Sequence, residues 1–524
     1  VLYSVVRGQL ETFLARARER ERPVPRFVER ELRAFLACGI LAHGFVRVRC
    51  EACGHDRLVA FSCKGRGFCP SCGGRRMADT AAHLVDRVLP EVPVRQWVLS
   101  LPFALRYRLA YDVRLASAVL AVFVRTVFAS LRRRARRQWG LPRSQCGAVT
   151  FVQRFGDALN LNLHFHSLVL DGVYAPGPEG RMRFHPLPPP DDAEVARVAG
   201  RVARGIARRL EKQGLGPEAD PAEADPLAAE EPLLADLYAA SIQGRVATGP
   251  RAGQRMRRVG DRIDADELPE LAGERCASVA GVSLHANVAV PARDRQRLER
   301  LARYVARPPV ATERLSRLPD GQLLYRLKHR WRDGTSHVVF GALELLEKLA
   351  ALVPPPRFHL VRYHGIFGPC ASARDSVVPG AGNAAAVSAA LPTLQAGGDP
   401  SPPGSASDPG GRPMEPSRAC TPQPSTGPAP LGEARSLTRE EPGEGVPALP
   451  RSRRLSWAEL MRRVFAIDVL ECPRCGGTMR ILAAIHPPET TTAILACLGL
   501  PTRAPPTEPA LIEPESTDLS AGEW

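Results

Sequence analysis

The chain has 524 residues, with 71 Lys and Arg against 55 Asp and Glu and a formal net charge of +16. That length allows two to four domains and at least one large core. The positive balance points to a polyanionic partner, most simply nucleic acid, and no stretch approaches the length of a membrane-spanning helix. Lysine occurs only at 64, 212, 328 and 348, so arginine carries the charge. The 13 cysteines cluster in Cys-x-x-Cys pairs, which suits metal ligation in a reducing cytoplasm better than a disulfide framework. No secretory signal opens the chain, and its first residue is valine, so the start codon is unusual or the true start lies upstream.

Residues 1–45 read as helical. Leu10, Phe13 and Leu14 in 8–21, and Phe27, Val28, Leu32, Phe35 and Leu36 in 27–41, recur at helical spacing and suit a packing scaffold. Next comes 47-RVRCEACGHDRLVAFSCKGRGFCPSCGGRR-76. Cys50 and Cys53 form one knuckle and Cys69 and Cys72 a second, the spacing of a zinc ribbon in which four thiolates close a tetrahedral structural Zn²⁺ site. Gly54 and Gly73 follow the knuckles where a tight turn is needed, and Cys63 and His55 are spare ligands. Lys64, Arg66, Arg75 and Arg76 either touch phosphate or form a solvated basic surface.

Helices at 78–90 and 112–140 flank a strand at 94–102. The second helix ends on Arg132, Arg133, Arg134, Arg136 and Arg137, which its dipole favours with or without DNA nearby. The segments 147–160 and 161-LNLHFHSLVLDGVY-174 read as an antiparallel hairpin. Alternation puts His164 and His166 on one face and Phe165 on the other, and imidazoles about 7 Å apart along a strand can share one divalent metal.

An exposed loop is expected at 213–226, and the basic, glycine-rich 241–262 either tracks a DNA backbone or is a surface loop. A strand at 281–290 carries His285. The helix 294–309 buries Leu298, Leu301, Ala302 and Val305, placing Tyr304 at the edge of that stripe beside Arg297, Arg300 and Arg307, before Pro308 and Pro309 stop it. A hairpin follows at 322–340, turning at Asp333-Gly334, then a helix at 341–352 and 357-RFHLVRYHGIFGP-369. Residues 376–450, rich in Pro, Gly, Ser and Ala, read as a disordered linker. A small C-terminal module at 451–500 holds an amphipathic helix and Cys472-x-x-Cys475, half a metal site that Cys497 or His486 could complete, and 501–524 is a tail.

CKGRGFCPSCGGRR, LNLHFHSLVLDGV, LERLARYVARPP, RFHLVRYHGIFGP and VFAIDVLECPRCGG occur in that order. Over residues 1–375 and 451–486 the chain resembles the rolling-circle insertion-sequence transposases, which join a zinc-binding N-terminal domain to an HUH single-strand nuclease domain. The resemblance implies an α+β fold. An HUH-endonuclease-like antiparallel sheet flanked by helices would occupy 93–375, preceded by a helical and zinc-ribbon-like domain at 1–92. It implies nicking and rejoining of single-stranded DNA, with His164 and His166 on Mg²⁺ or Mn²⁺ and Tyr304 as the nucleophile of a 5′-phosphotyrosine intermediate. His285 is the favoured third ligand, with Gln153 and Asp171 as alternatives. Arg297, Arg300 and Arg307 would hold phosphates, and Lys64, Arg75 and Arg76 would add DNA contacts. The implied partners are single-stranded element ends, target DNA and further copies of the chain, with no membrane, in a bacterial cytoplasm at the nucleoid. Such proteins typically carry two tyrosines four residues apart; here the earlier position is Arg300, which makes this a single-tyrosine variant. Either a second subunit supplies the other tyrosine or Tyr304 is released and reused. A non-catalytic zinc-dependent DNA-binding remnant, and a plasmid replication initiator or relaxase with the same core, are the competing readings.

Overall fold

Two amphipathic helices open the chain, α1 (Leu2–Glu19) and α2 (Arg26–Ala37), and their apolar stripes are buried as the spacing predicts. A hairpin of β1 (Phe45–Cys50) and β2 (Asp56–Ala60) follows. Helix α3 (Pro70–Arg87) begins eight residues earlier than expected, because Pro70 at its first position brings a helix-ready φ. Then come β3 (Val94–Ser100), α4 (Phe103–Tyr111) and α5 (Val113–Trp139). Asp112 caps α5 by accepting from Leu115 N at 2.8 Å, and Gly140 ends it in the left-handed region. The chain continues through β4 (Gly147–Phe155), β5 (Leu161–Leu170), β6 (Gly172–Pro176), β7 (Met182–Pro186), α6 (Asp192–Glu211), α7 (Pro226–Glu230) and α8 (Pro232–Gln243). Next are β8 (Arg257–Gly260), β9 (Cys276–Val279), β10 (Val282–His285), β11 (Ala289–Val290) and α9 (Arg295–Ala306). Last come β12 (Leu315–Arg317), β13 (Leu323–Arg326), β14 (Thr335–Phe340), α10 (Ala342–Leu352), β15 (Val361–Gly365), α11 (Trp457–Phe465), β16 (Met479–Ile485) and α12 (Glu489–Cys497).

This computed structural model describes residues 1–177, 180–215, 225–260, 273–379, 456–465 and 468–511. All of them belong to one unit built from 1–384 and 454–524. A second unit, 385–453, lies outside the described residues, as do most of the loop expected at 213–226, most of the linker expected at 376–450 and the end of the tail.

The central sheet is antiparallel, in the order β15-β4-β5-β3-β10-β9, with β11 also pairing β3. Its two faces are covered differently. On one, Phe165, Leu163 and Trp97 pack with α5 and α6 through Val119, Phe123, Val198 and Val202. Phe165 is fully buried, worth roughly 1.5–3 kcal/mol of apolar burial. On the other, Phe151, Leu168 and Leu170 pack with α3 and α9 through Leu84, Val85, Leu298 and Val305. His164 and His166 alternate with Phe165, so they lie on the α3/α9 face. The fold is α+β, as the motifs imply.

Helix α5 corrects one expectation. It is long and apolar enough to cross a membrane by length and composition, the one such helix among the described residues. Its Leu115, Leu120, Phe123 and Leu131 pack instead in the core under the sheet.

The expected strand at 281–290 divides into β10 and β11, which pair with successive parts of β3. The described part of the basic 241–262 segment ends in β8, an edge strand of a second antiparallel sheet, β12-β13-β14-β8. The C-terminal module joins the zinc-ribbon hairpin, where β16 pairs with β1 from Phe45↔Ile485 to Cys50↔Met479 in a sheet ordered β16-β1-β2.

Candidate functional site

Strand β5 lies between β4 and β3, and the register builds two cross-strand rows. Gln153, His164 and Ser100 make one; Phe151, His166, Val98 and His285 make the other. The His164 and His166 rings are 4.8 Å apart between centroids. His164 Nδ1 lies 2.9 Å from Asn162 O, and the Gln96 carboxamide lies 2.7 Å from His166 Nδ1. His164 donates its Nδ1 proton to Asn162 O, which leaves its Nε2 lone pair free. Gln96 Nε2 donates to His166 Nδ1, so His166 carries its proton on Nε2 and would ligate there only with the Gln96 carboxamide turned to offer its oxygen. His166 Nε2 is buried with no hydrogen-bond partner among the described residues, and so is Gln153 Oε1. These are donors of the kind a divalent cation takes.

Burial is the main force on both rings. It brings His164 down to about 4, with Arg307 and Arg106 adding to the effect and the Asn162 carbonyl opposing it. It lowers His166 further, to about 2, helped by His164, Arg307 and His285. Both imidazoles are therefore neutral at pH 7 and ready to ligate.

Helix α9 brings the tyrosine to this face. Leu298, Leu301, Ala302 and Val305 are buried, and Asp294 caps the helix by accepting from Arg297 N at 3.0 Å. Gln153 Nε2 donates to Val305 O at 2.7 Å, tying the end of α9 to the sheet. Tyr304 is 39% exposed, with its ring centroid 6.2 Å from that of His166. Two cations lie against the phenol ring: Arg307 Cζ and Lys328 Nζ are each 4.4 Å from its centroid. Lys328 comes from the β13–β14 loop, and nothing in its local sequence marks it for this place.

His285 shares a row with His166 but sits two strands away, about 10 Å between backbones. It forms no three-ligand group with the histidine pair among the described residues. Asp171 is taken up by Arg95, whose Nε and Nη2 donate to it at 2.9 and 2.6 Å in a buried ion pair.

The four cysteines expected to form one site are divided between two. Cys69 and Cys72 gather with Cys38 and Cys63, while Cys50 and Cys53 gather with Cys472 and Cys475. The reason is local geometry. Cys69 and Cys72 sit on the first turn of α3, and the 63–65 loop folds back onto them, held by Arg76 donating to Gly65 O and Lys64 O at 3.1 Å. Cys50 and Cys53 sit on the β1–β2 turn, beside the partner strand β16. Neither Cys497 nor His486 joins a cluster; the His486 ring stacks on Phe61 at 5.0 Å.

Each cluster could hold one ion. Sγ–Sγ separations of 3.4–3.8 Å in the first and 3.5 and 3.6 Å in the second match the edge of about 3.8 Å expected for four sulfurs at 2.3 Å from Zn²⁺. In the first cluster, hydrogen bonds from Cys63 and Cys69 hold the Cys72 thiol far below the usual thiol range, and its neighbours drive Cys69 up. Sulfurs this close ionise together only around a cation.

Two family models match the chain. One, "Transposase zinc-binding domain", covers residues 7–101. The other, "Putative transposase", covers residues 147–375, and together they span well over half of the sequence. The chain belongs to the insertion-sequence transposases. No curated protein and no solved structure matches it.

The transposase thus binds DNA, has nuclease or strand-transfer activity in the general sense, and carries structural zinc. Neither model reaches the Cys472–Cys475 knuckle. Of the expected DNA contacts, Arg297, Arg300, Arg75 and Lys64 are exposed, Arg307 lies on Tyr304, and Arg76 is spent on the first cysteine cluster. Arg66 is exposed as well, with its guanidinium donating to Phe358 O at 2.9 Å and Pro355 O at 3.2 Å.

Proposed function

We propose that this transposase nicks and rejoins single-stranded DNA at element ends through a 5′-phosphotyrosine on Tyr304, in rolling-circle fashion, with an HUH-type metal centre on β5. The observation that carries the reading is the 6.2 Å approach of Tyr304 to His166, whose buried Nε2 has no hydrogen-bond partner among the described residues. His164 and His166 would hold Mg²⁺ or Mn²⁺, with Gln153 Oε1 better placed than His285 to be the third donor. The ion would supply charge to the non-bridging oxygens of the scissile phosphate.

The chain's own groups do the rest. Arg307 and Lys328 hold the phosphate over Tyr304 and balance its charge. The Tyr304 oxygen bonds to phosphorus in line as the bond from phosphorus to the 3′ oxygen breaks, and the departing strand keeps that oxygen as a 3′-hydroxyl after taking up a proton. Attack by a 3′-hydroxyl on the phosphotyrosine reverses the step and joins the strands. Arg300 stands exposed where a second tyrosine would be, so one protomer carries one nucleophile and a full exchange needs a second copy or reuse of Tyr304.

The test is a nicking assay on single-stranded oligonucleotides spanning the element ends with Mn²⁺. Wild type should cut. His166→Ala and chelator-treated protein should bind without cutting, and cutting that survives both would refute the metal centre.

A further inference from the structure

The Cys472–Cys475 knuckle lies beyond a long stretch of chain and outside both family matches, yet it meets Cys50 and Cys53 with all four sulfurs within 4.8 Å. The two knuckles are built alike. Gly54 N donates to Cys50 O at 3.1 Å and Gly476 N to Cys472 O at 2.9 Å, and both glycines have φ of +70°. This is the turn that aims backbone N–H groups and two sulfurs at one point. A Cβ on Gly477 would stand 3.3 Å from Cys50 Sγ and from Cys475 Sγ, so the cluster also uses the space left by that glycine.

Little else holds this end of the chain. The local apolar core is Val48, Cys50, Cys472 and Met479, and β16 is mostly exposed. Where apolar burial is this small, metal binding supplies the folding free energy. Just before the knuckle, α11 places Leu460 against Ala78 and Ala82 of α3. Arg463 on α11 donates to Asp86 of α3 at 3.0 Å and to Glu299 of the tyrosine helix at 2.8 Å. Five residues after Glu299 stands Tyr304.

We propose that Cys50, Cys53, Cys472 and Cys475 form a second zinc site, a clasp that closes the C-terminal segment onto the N-terminal hairpin and holds Arg463 against α9. The clasp makes the position of the tyrosine helix depend on zinc bound at the opposite ends of the sequence. It does not depend on the nicking chemistry, because its readouts are metal content and backbone protection.

The experiment is zinc analysis and hydrogen exchange on the full-length protein. Wild type should hold two zinc ions per chain, and its cobalt-substituted form should show the thiolate charge-transfer absorption of two tetrathiolate sites. Cys53→Ser with Cys475→Ser should hold one, with exchange faster by about tenfold or more over 468–485 and measurably faster over 295–306. Arg463→Ala should keep both ions and the protection of 468–485 while loosening 295–306. One zinc in wild type, or two in the double variant, overturns the site. Unchanged protection of 295–306 in both variants overturns the buttress. Should the double variant fail to fold, the wild-type cobalt spectrum and Arg463→Ala decide each part.

Discussion

Buried imidazoles set the acid limit of the site. Burial keeps His164 and His166 neutral in the folded chain, whereas an unfolded histidine takes up a proton below about 6.5. Metal-free protein should therefore lose stability as the pH falls from 6.5 towards 4, and His164→Asn should remove part of that loss in melts compared at pH 7 and pH 5. Asp171 makes the opposite case, a charged group whose work is structural. Asp171→Ala strands Arg95 in the core and should cost roughly 3–5 kcal/mol in denaturant titrations. Metal affinity should stay unchanged in that variant; a drop would return Asp171 to the ligand set. Lys328 is tested by salt. If it meets a phosphate beside Tyr304, Lys328→Met should lower the slope of log affinity against log salt by about 0.7 for single-stranded DNA.

Helix α9 owes its place to α3 as much as to the sheet. A Cβ on Gly73 would stand 2.5 Å from Pro308 Cβ, just past the end of α9, so only glycine allows this approach. Gly73→Ala should cost about 1–3 kcal/mol in thermal melts and slow nicking more than it weakens DNA binding, because it displaces the tyrosine and not the basic surface. The sequence expectation for Gly73 was a knuckle turn, whereas it lies inside α3 and serves packing. Local period made much of this layer legible: the buried stripe of α9 is Leu298, Leu301, Ala302 and Val305, and the alternation around Phe165 assigns the histidine face. What spacing could not supply was which knuckle meets which. Cys38 follows α2 and Cys472 follows α11, and only the β1–β16 pairing and the fold-back of 63–65 decide their partners. Lys328 and Gln96 escaped for the same reason, since each reaches the site through tertiary contact alone.

For the whole molecule, one architecture serves cutting and holding. The antiparallel sheet fixes the histidines, α3 and α9 cover that face, and cysteines from four separated segments tie the layers together. The net charge of +16 fits a DNA partner but says nothing of which strand is cut, so the account stands or falls on the covalent link. The most direct measurement is mass spectrometry of the trapped protein–DNA adduct. Trypsin should release the peptide 304–314, since cleavage after Arg307 is blocked by Pro308 and Tyr304 is the one tyrosine within it. The account predicts this peptide bearing the 5′-phosphate of the cleaved strand, lost in Tyr304→Phe. Strand cleavage with no adduct, or an adduct on any other residue, would contradict it.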